Sequence, residues 1–190
     1  MIKNINLGVI GIDHGHIFDM LDEMLREGCT CDYFWTEGSP LTLKEFNQKY
    51  PNIKRVENKS EILNDNKIDM ILISSIPKDR AINSIEALKS GKDVMVDKPG
   101  CTTLDQLEDL KRTVKETGKI WSVNFSERFH VAAVTKAEEL VAEGKIGKVK
   151  LLPSELNKME SETMVRVAEV DVNGDILIVP RSNLEMLETN

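Results

Sequence analysis

Over the first two thirds of the chain, short apolar runs alternate with longer amphipathic segments. The runs are Leu7-Gly8-Val9-Ile10, Cys31-Asp32-Tyr33-Phe34-Trp35, Met70-Ile71-Leu72-Ile73, Val94-Met95-Val96 and Ile120-Trp121-Ser122-Val123. Short, near-continuous apolar runs suit parallel strands that are covered on both faces. Between them, apolar residues recur at helical spacing. Ile17, Met20, Leu21, Met24 and Leu25 do so before Gly28, Ala81, Ile85 and Leu88 before Gly91, and Leu104, Leu107, Leu110 and Val114 before Gly118. A glycine after each set is a natural helix stop, and Thr102 or Thr103 is placed to cap the start of the last one. This alternation predicts right-handed crossovers and an α/β fold built on a doubly wound parallel sheet, over residues 1–124.

The pattern changes after that. Val131 to Ala142 reads as a helix closed by Gly144, with a turn around Gly147 and a strand from Val149 to Leu152. A polar stretch follows Pro153. Val165, Val167, Val170 and Val172 then lead through Asn173-Gly174 to Ile176-Leu177-Ile178-Val179. Asn-Gly between two β-branched runs is a strong hairpin signal. Residues 125–190 are therefore expected to form a small, β-rich C-terminal appendage.

Composition narrows the function classes. Among 190 residues, 41% are apolar and 30% charged, as in a globular protein with a packed core. The net charge is −7, with a pI near 5.1. No basic stripe appears and aromatics are only 5%, so neither a nucleic-acid partner nor an anionic membrane surface is expected. No stretch approaches the ~18–20 apolar residues of a membrane span. The apolar start is broken at Asn4 and Asn6 and reaches Asp13 too soon for a signal peptide. Cys29, Cys31 and Cys101 make no disulfide framework, which fits a reducing, cytoplasmic setting. Cys29 and Cys31 lack a second pair or a nearby histidine, so no metal site is expected.

Chemistry gathers where the apolar runs end. The first strand passes through Gly8-Val9-Ile10-Gly11-Ile12-Asp13-His14-Gly15-His16 directly into a helix. Such a turn lets backbone approach a pyrophosphate, with the helix N-terminus aimed at it. The usual G-x-G-x-x-G spacing is degenerate: Gly11 fills the first place, Asp13 the second and His16 the third, with Gly15 one position early. Gly11, Ile12, Asp13, His14, Gly15 and His16 are candidate cofactor-binding residues, and the plain alternative is a tight turn with Asp13 as N-cap. Glu37, after the second strand, is placed to accept hydrogen bonds from an adenine ribose diol, which favours NAD over NADP; a solvated loop glutamate is the alternative. Lys98 ends a strand in Asp97-Lys98-Pro99, where ligands of α/β sheets bind, and a cis Pro99 is compatible with that loop. Asn124 and Arg128 place an amide and a guanidinium at the next strand end.

Taken in order, the glycine turn, Ile73-Ser74-Ser75-Ile76-Pro77, Ala87 to Pro99, Asn124 to Phe129, and Gly144-Lys145-Ile146-Gly147-Lys148-Val149 resemble the glucose–fructose oxidoreductase / inositol dehydrogenase family (Gfo/Idh/MocA) over about residues 3–150. The segment Ala87 to Pro99 carries the most specific part of the likeness. The resemblance implies a dinucleotide-binding Rossmann domain and NAD(P)-dependent oxidation of sugars, cyclitols or related polyols. By position, Lys98 matches the lysine of the family's E-K-P motif, which helps to position substrate and to transfer a proton. Asp97 replaces the usual glutamate, Ser74, Ile76 and Pro77 match the loop passing along the dinucleotide, and Arg80 stands where histidine is frequent. The family's D-x-x-x-H acid/base pair has no counterpart after Pro153, which implies a shortened C-terminal region. The expectation is thus an oxidoreductase using NAD (NADP is possible) on a small polyol or sugar, with a homo-oligomer possible. The alternative is a non-catalytic dinucleotide-binding sensor or interaction module.

Overall fold

In the computed structural model, residues 5–125 and 132–145 are described, together with the backbone of two strands at 167–172 and 175–180. Two compact units divide the chain, Met1–Phe125 and Ser126–Asn190.

In the first unit, β1 (Asn6–Ile12), β2 (Thr30–Trp35), β3 (Lys54–Arg55), β4 (Met70–Ser74), β5 (Asp93–Asp97) and β6 (Trp121–Asn124) form one sheet in the order β3-β2-β1-β4-β5-β6. Every neighbouring pair is parallel. The five apolar runs each became a strand, and in the central strands β1, β4 and β5 side chains on either face meet a packed layer. Leu7, Val9 and Leu72 pack with Ile17, Met20, Leu21, Phe34 and Phe46 on one side. Ile10, Ile71, Ile73, Val94 and Val96 pack with Ala81, Ala87, Leu88 and Leu110 on the other. Alternation along β1 and β4 sends neighbours to opposite layers, so both cores are stitched to the same strands.

The predicted helices are α1 (His16–Arg26), α4 (Pro77–Lys89) and α5 (Leu104–Thr117). The Thr103 hydroxyl accepts from Gln106 N at 3.2 Å, and Gly118 closes α5 at φ +66°. Two short helices were not anticipated: α2 (Leu43–Lys49) and α3 (Lys59–Leu63). Each buries a single apolar residue, Phe46 and Ile62, and so shows no helical stripe. A capping signal was nevertheless present, since Asn58 N donates to the Glu61 carboxylate at 2.9 Å.

In the second unit, α6 (Ala132–Ala142) buries no side chain, and β7 (Val167–Val172) pairs antiparallel with β8 (Asp175–Pro180). That antiparallel pairing is the one expected on either side of Asn173-Gly174, which themselves lie outside the described residues. The expected strand at 149–152 lies outside the described residues. Among the described residues, no helix is long and apolar enough to cross a membrane.

Candidate functional site

The strand order reverses between β1 and β4, and the carboxyl ends of both strands open there. This is where doubly wound sheets bind ligands. At this edge, Gly11 adopts φ +75°. A Cβ at Gly11 would lie 2.5 Å from Ser75 Cβ and 2.8 Å from Ser75 N. Glycine is therefore required by the close passage of the chain after β4, before any ligand is considered. Gly15 differs: its φ is −63°, and a Cβ there meets nothing within 4 Å.

The turn itself is tied to β4. Asp13 N and His14 N both donate to Ser74 O, at 2.9 and 3.2 Å, while the Ser74 hydroxyl donates to His14 O at 3.2 Å. Thr42 Oγ1 also donates to Ile12 O. The helix begins one residue after Gly15, which occupies the N-cap position, so Asp13 does not cap α1 as the plain alternative supposed. Although largely exposed, Asp13 has its pKa raised, first by partial loss of solvent and then by the charge of Asp79.

Gly11, Asp13, Glu37, Ser75 and Ile76 line one cleft of about 240 Å³, with Trp35 and Lys59 on its wall. Arg55 shapes its β2 side by donating to Thr36 O at 2.8 Å and Gly38 O at 2.7 Å, on both sides of Glu37. Lys59 is engaged by Glu86 at 2.5 Å and Asn83 at 3.1 Å. Ile12 turns its side chain fully into the core, so only its backbone belongs to the turn.

A second group centres on Asp97, which is fully buried at the end of β5. His16 Nδ1 lies 2.8 Å from its Oδ1 and His14 Nδ1 3.3 Å from its Oδ2. The Arg80 guanidinium, 2% exposed, donates from Nη2 to Asp97 Oδ2 at 2.8 Å and from Nε to Ser75 O at 2.7 Å, and from Nη1 to Lys98 O. Burial draws the Arg80 pKa down from its ordinary value, and the Asp97 charge opposes that shift. Arg80 thus clamps the ends of β4 and β5 together, a role that sequence reasoning missed. Lys98 follows directly, half-buried, with a cis bond to Pro99. Pro77 opens α4, and Asn124 pairs with Asp97 in the β5–β6 register. Arg128 lies outside the described residues.

A parallel sheet in this order, opened at a glycine turn, is a dinucleotide-binding α/β architecture. The sequence profile described as "Oxidoreductase family, NAD-binding Rossmann fold" (Gfo/Idh/MocA) matches residues 5–125, and the chain belongs to that family. Among curated relatives, a scyllo-inositol 2-dehydrogenase (NADP(+)) of Bacillus subtilis is 24% identical over 88% of this chain and 46% of its own length. The oxidoreductase YdgJ of Escherichia coli is 31% identical over 89% and 48%. A crystal structure of an oxidoreductase from Erwinia carotovora atroseptica matches with a TM-score of 0.72 at 34% identity, covering 77% of this chain and 44% of that one. The chain spans about half the length of the curated relatives it matches.

Proposed function

We propose that the chain binds a nicotinamide dinucleotide across the β1–β4 switch point and serves in oxidation of a sugar, cyclitol or related polyol. One observation carries the reading: the glycine turn, the cleft at Glu37 and Lys98 all stand on the carboxyl edge of one parallel sheet. The residues present fit the cofactor. Open space at Gly15 leaves the start of α1 accessible. Glu37 suits the ribose diol of NAD; of the cations near it, Arg55 is committed to two carbonyls and Lys59 to Glu86 and Asn83, while Lys78 also lines the cleft. The relative from Bacillus subtilis is named for NADP, so NADPH belongs in the test as the competitor.

When bound, the nicotinamide ring supplies the redox chemistry. Lys98 orients the substrate hydroxyl and takes part in moving its proton at Nζ. Arg80 acts through the backbone, fixing Lys98 by its carbonyl and Asp97 by its carboxylate. Calorimetric titration with NADH and NADPH tests the reading. Micromolar binding with NADH preferred is expected, followed by turnover in a polyol screen, and no binding at millimolar cofactor would overturn it. Lys98→Ala is expected to abolish polyol oxidation while leaving NADH affinity within about threefold, since the lysine touches substrate. Equal loss of both would make Lys98 structural.

A further inference from the structure

We infer that His14, His16 and Asp97 form a binding site for a divalent first-row transition-metal ion. The inference stands on the geometry of these three side chains and does not rest on dinucleotide binding. One nitrogen or oxygen from each lies within 4.8 Å of the others. The two imidazole rings stand edge to face with centroids 4.3 Å apart, and both turn Nδ1 toward the same carboxylate. Bond lengths of about 2.0–2.2 Å to nitrogen and carboxylate oxygen place neighbouring donors roughly 3 Å apart. His16 Nδ1 stands 2.8 Å from Asp97 Oδ1 and His14 Nδ1 3.3 Å from Oδ2, separations on that scale, and the three donor atoms lie within 4.8 Å of one another.

His14 Nδ1 stands 3.3 Å from both the His16 N–H and Asp97 Oδ2. Neutral imidazoles at His14 and His16 and the Asp97 carboxylate each have a lone pair to offer a cation held between them. The outer contacts already suit a ligand: Arg80 holds Asp97 Oδ2 at 2.8 Å, fixing the carboxylate's orientation. The guanidinium charge next to the ion weakens the site, so affinity in the micromolar range is expected. Two imidazoles and one carboxylate select a borderline ion such as Zn²⁺, Co²⁺ or Fe²⁺ over Mg²⁺ or Ca²⁺, which prefer all-oxygen shells. His14 is 54% and His16 26% exposed, so the ion has an entry path and room for water on its open side.

The experiment is titration of the tag-free chain, without nucleotide, by Zn²⁺ in a calorimeter and by Co²⁺ in visible absorption. One equivalent is expected to bind in the micromolar range with visible Co²⁺ bands, and Mg²⁺ is expected to give no heat. His14→Gln and His16→Gln should each weaken Zn²⁺ by more than about tenfold with an unchanged far-ultraviolet circular dichroism spectrum. A Cys29→Ser/Cys31→Ser/Cys101→Ser/His130→Gln chain should keep full affinity. Absence of saturable binding below millimolar Zn²⁺, or binding that survives both histidine variants, would overturn the inference.

Discussion

Two glycines four residues apart behave oppositely in the same turn. Gly11 cannot carry a side chain, since a Cβ would strike Ser75 from a left-handed backbone, whereas Gly15 has ordinary backbone angles and open space. Gly11→Ala is expected to lower unfolding free energy in urea by more than about 1 kcal/mol, and Gly15→Ala to leave it unchanged or raise it by up to about 1 kcal/mol. If Gly15→Ala also weakens NADH binding, that loss belongs to the ligand and not to the fold. Arg80 is the other decisive residue. Arg80→Ala leaves Asp97 buried without its guanidinium, and a loss of about 3–5 kcal/mol in unfolding free energy is expected. A double change, Arg80→Met with Asp97→Leu, should recover much of that loss while removing the charge cluster. Neither role could be read along the chain. Asp97 meets His16 across 81 positions, and Arg80 sits in a helix that otherwise reads as ordinary amphipathic sequence.

The elements legible in sequence were those whose apolar pattern faces a packed layer of the sheet domain. All five apolar runs became strands, and the three periodic segments of the sheet domain became α1, α4 and α5, because tertiary packing and local pattern made the same demand. The stretch from Ser39 to Asn66 gave no such signal. Its strand, β3, has two exposed residues, Lys54 and Arg55, and its helices bury one apolar side chain each. Polar side chains anchor this part. Asp22 of α1 receives the Tyr50 hydroxyl at 2.7 Å and pairs with Lys49, both at the end of α2. Partial burial opposes ionisation of Asp22, but the bonds from Lys49 and Tyr50 outweigh it and hold its pKa below the ordinary 3.8. The stabilisation is therefore complete above that value and disappears as pH falls through the lowered folded-state pKa. Tyr50→Phe is expected to cost about 1 kcal/mol at neutral pH in denaturant unfolding, and less as Asp22 becomes protonated. A cost that stays constant into acid would show that the bond does not depend on the carboxylate charge.

At the scale of the molecule, both apolar layers are made, among the described residues, of residues within 1–125. A fragment of residues 1–125 is expected to unfold in one cooperative transition, with a midpoint within a few degrees of the full chain in differential scanning calorimetry. A broad transition in the fragment would show that residues 126–190 are needed to complete the sheet domain. Burial pushes the Cys31 thiol up to about 12 and raises Cys29 and Cys101, which disfavours the thiolate at neutral pH.

The position of β1 in the sheet also sets an order in time. Its neighbour β2 follows after a single helix, and Asn6 faces Thr30. Its other neighbour, β4, arrives much later: Asn6 and Asp69, which are hydrogen-bonded beside the β1–β4 pairing, lie 63 residues apart. A ribosome adding about 5–20 residues per second needs roughly three to thirteen seconds to cover that interval. Through those seconds the most buried strand of the six-stranded sheet has one free edge, with only β2 and α1 beside it until the second half of the sheet is synthesised.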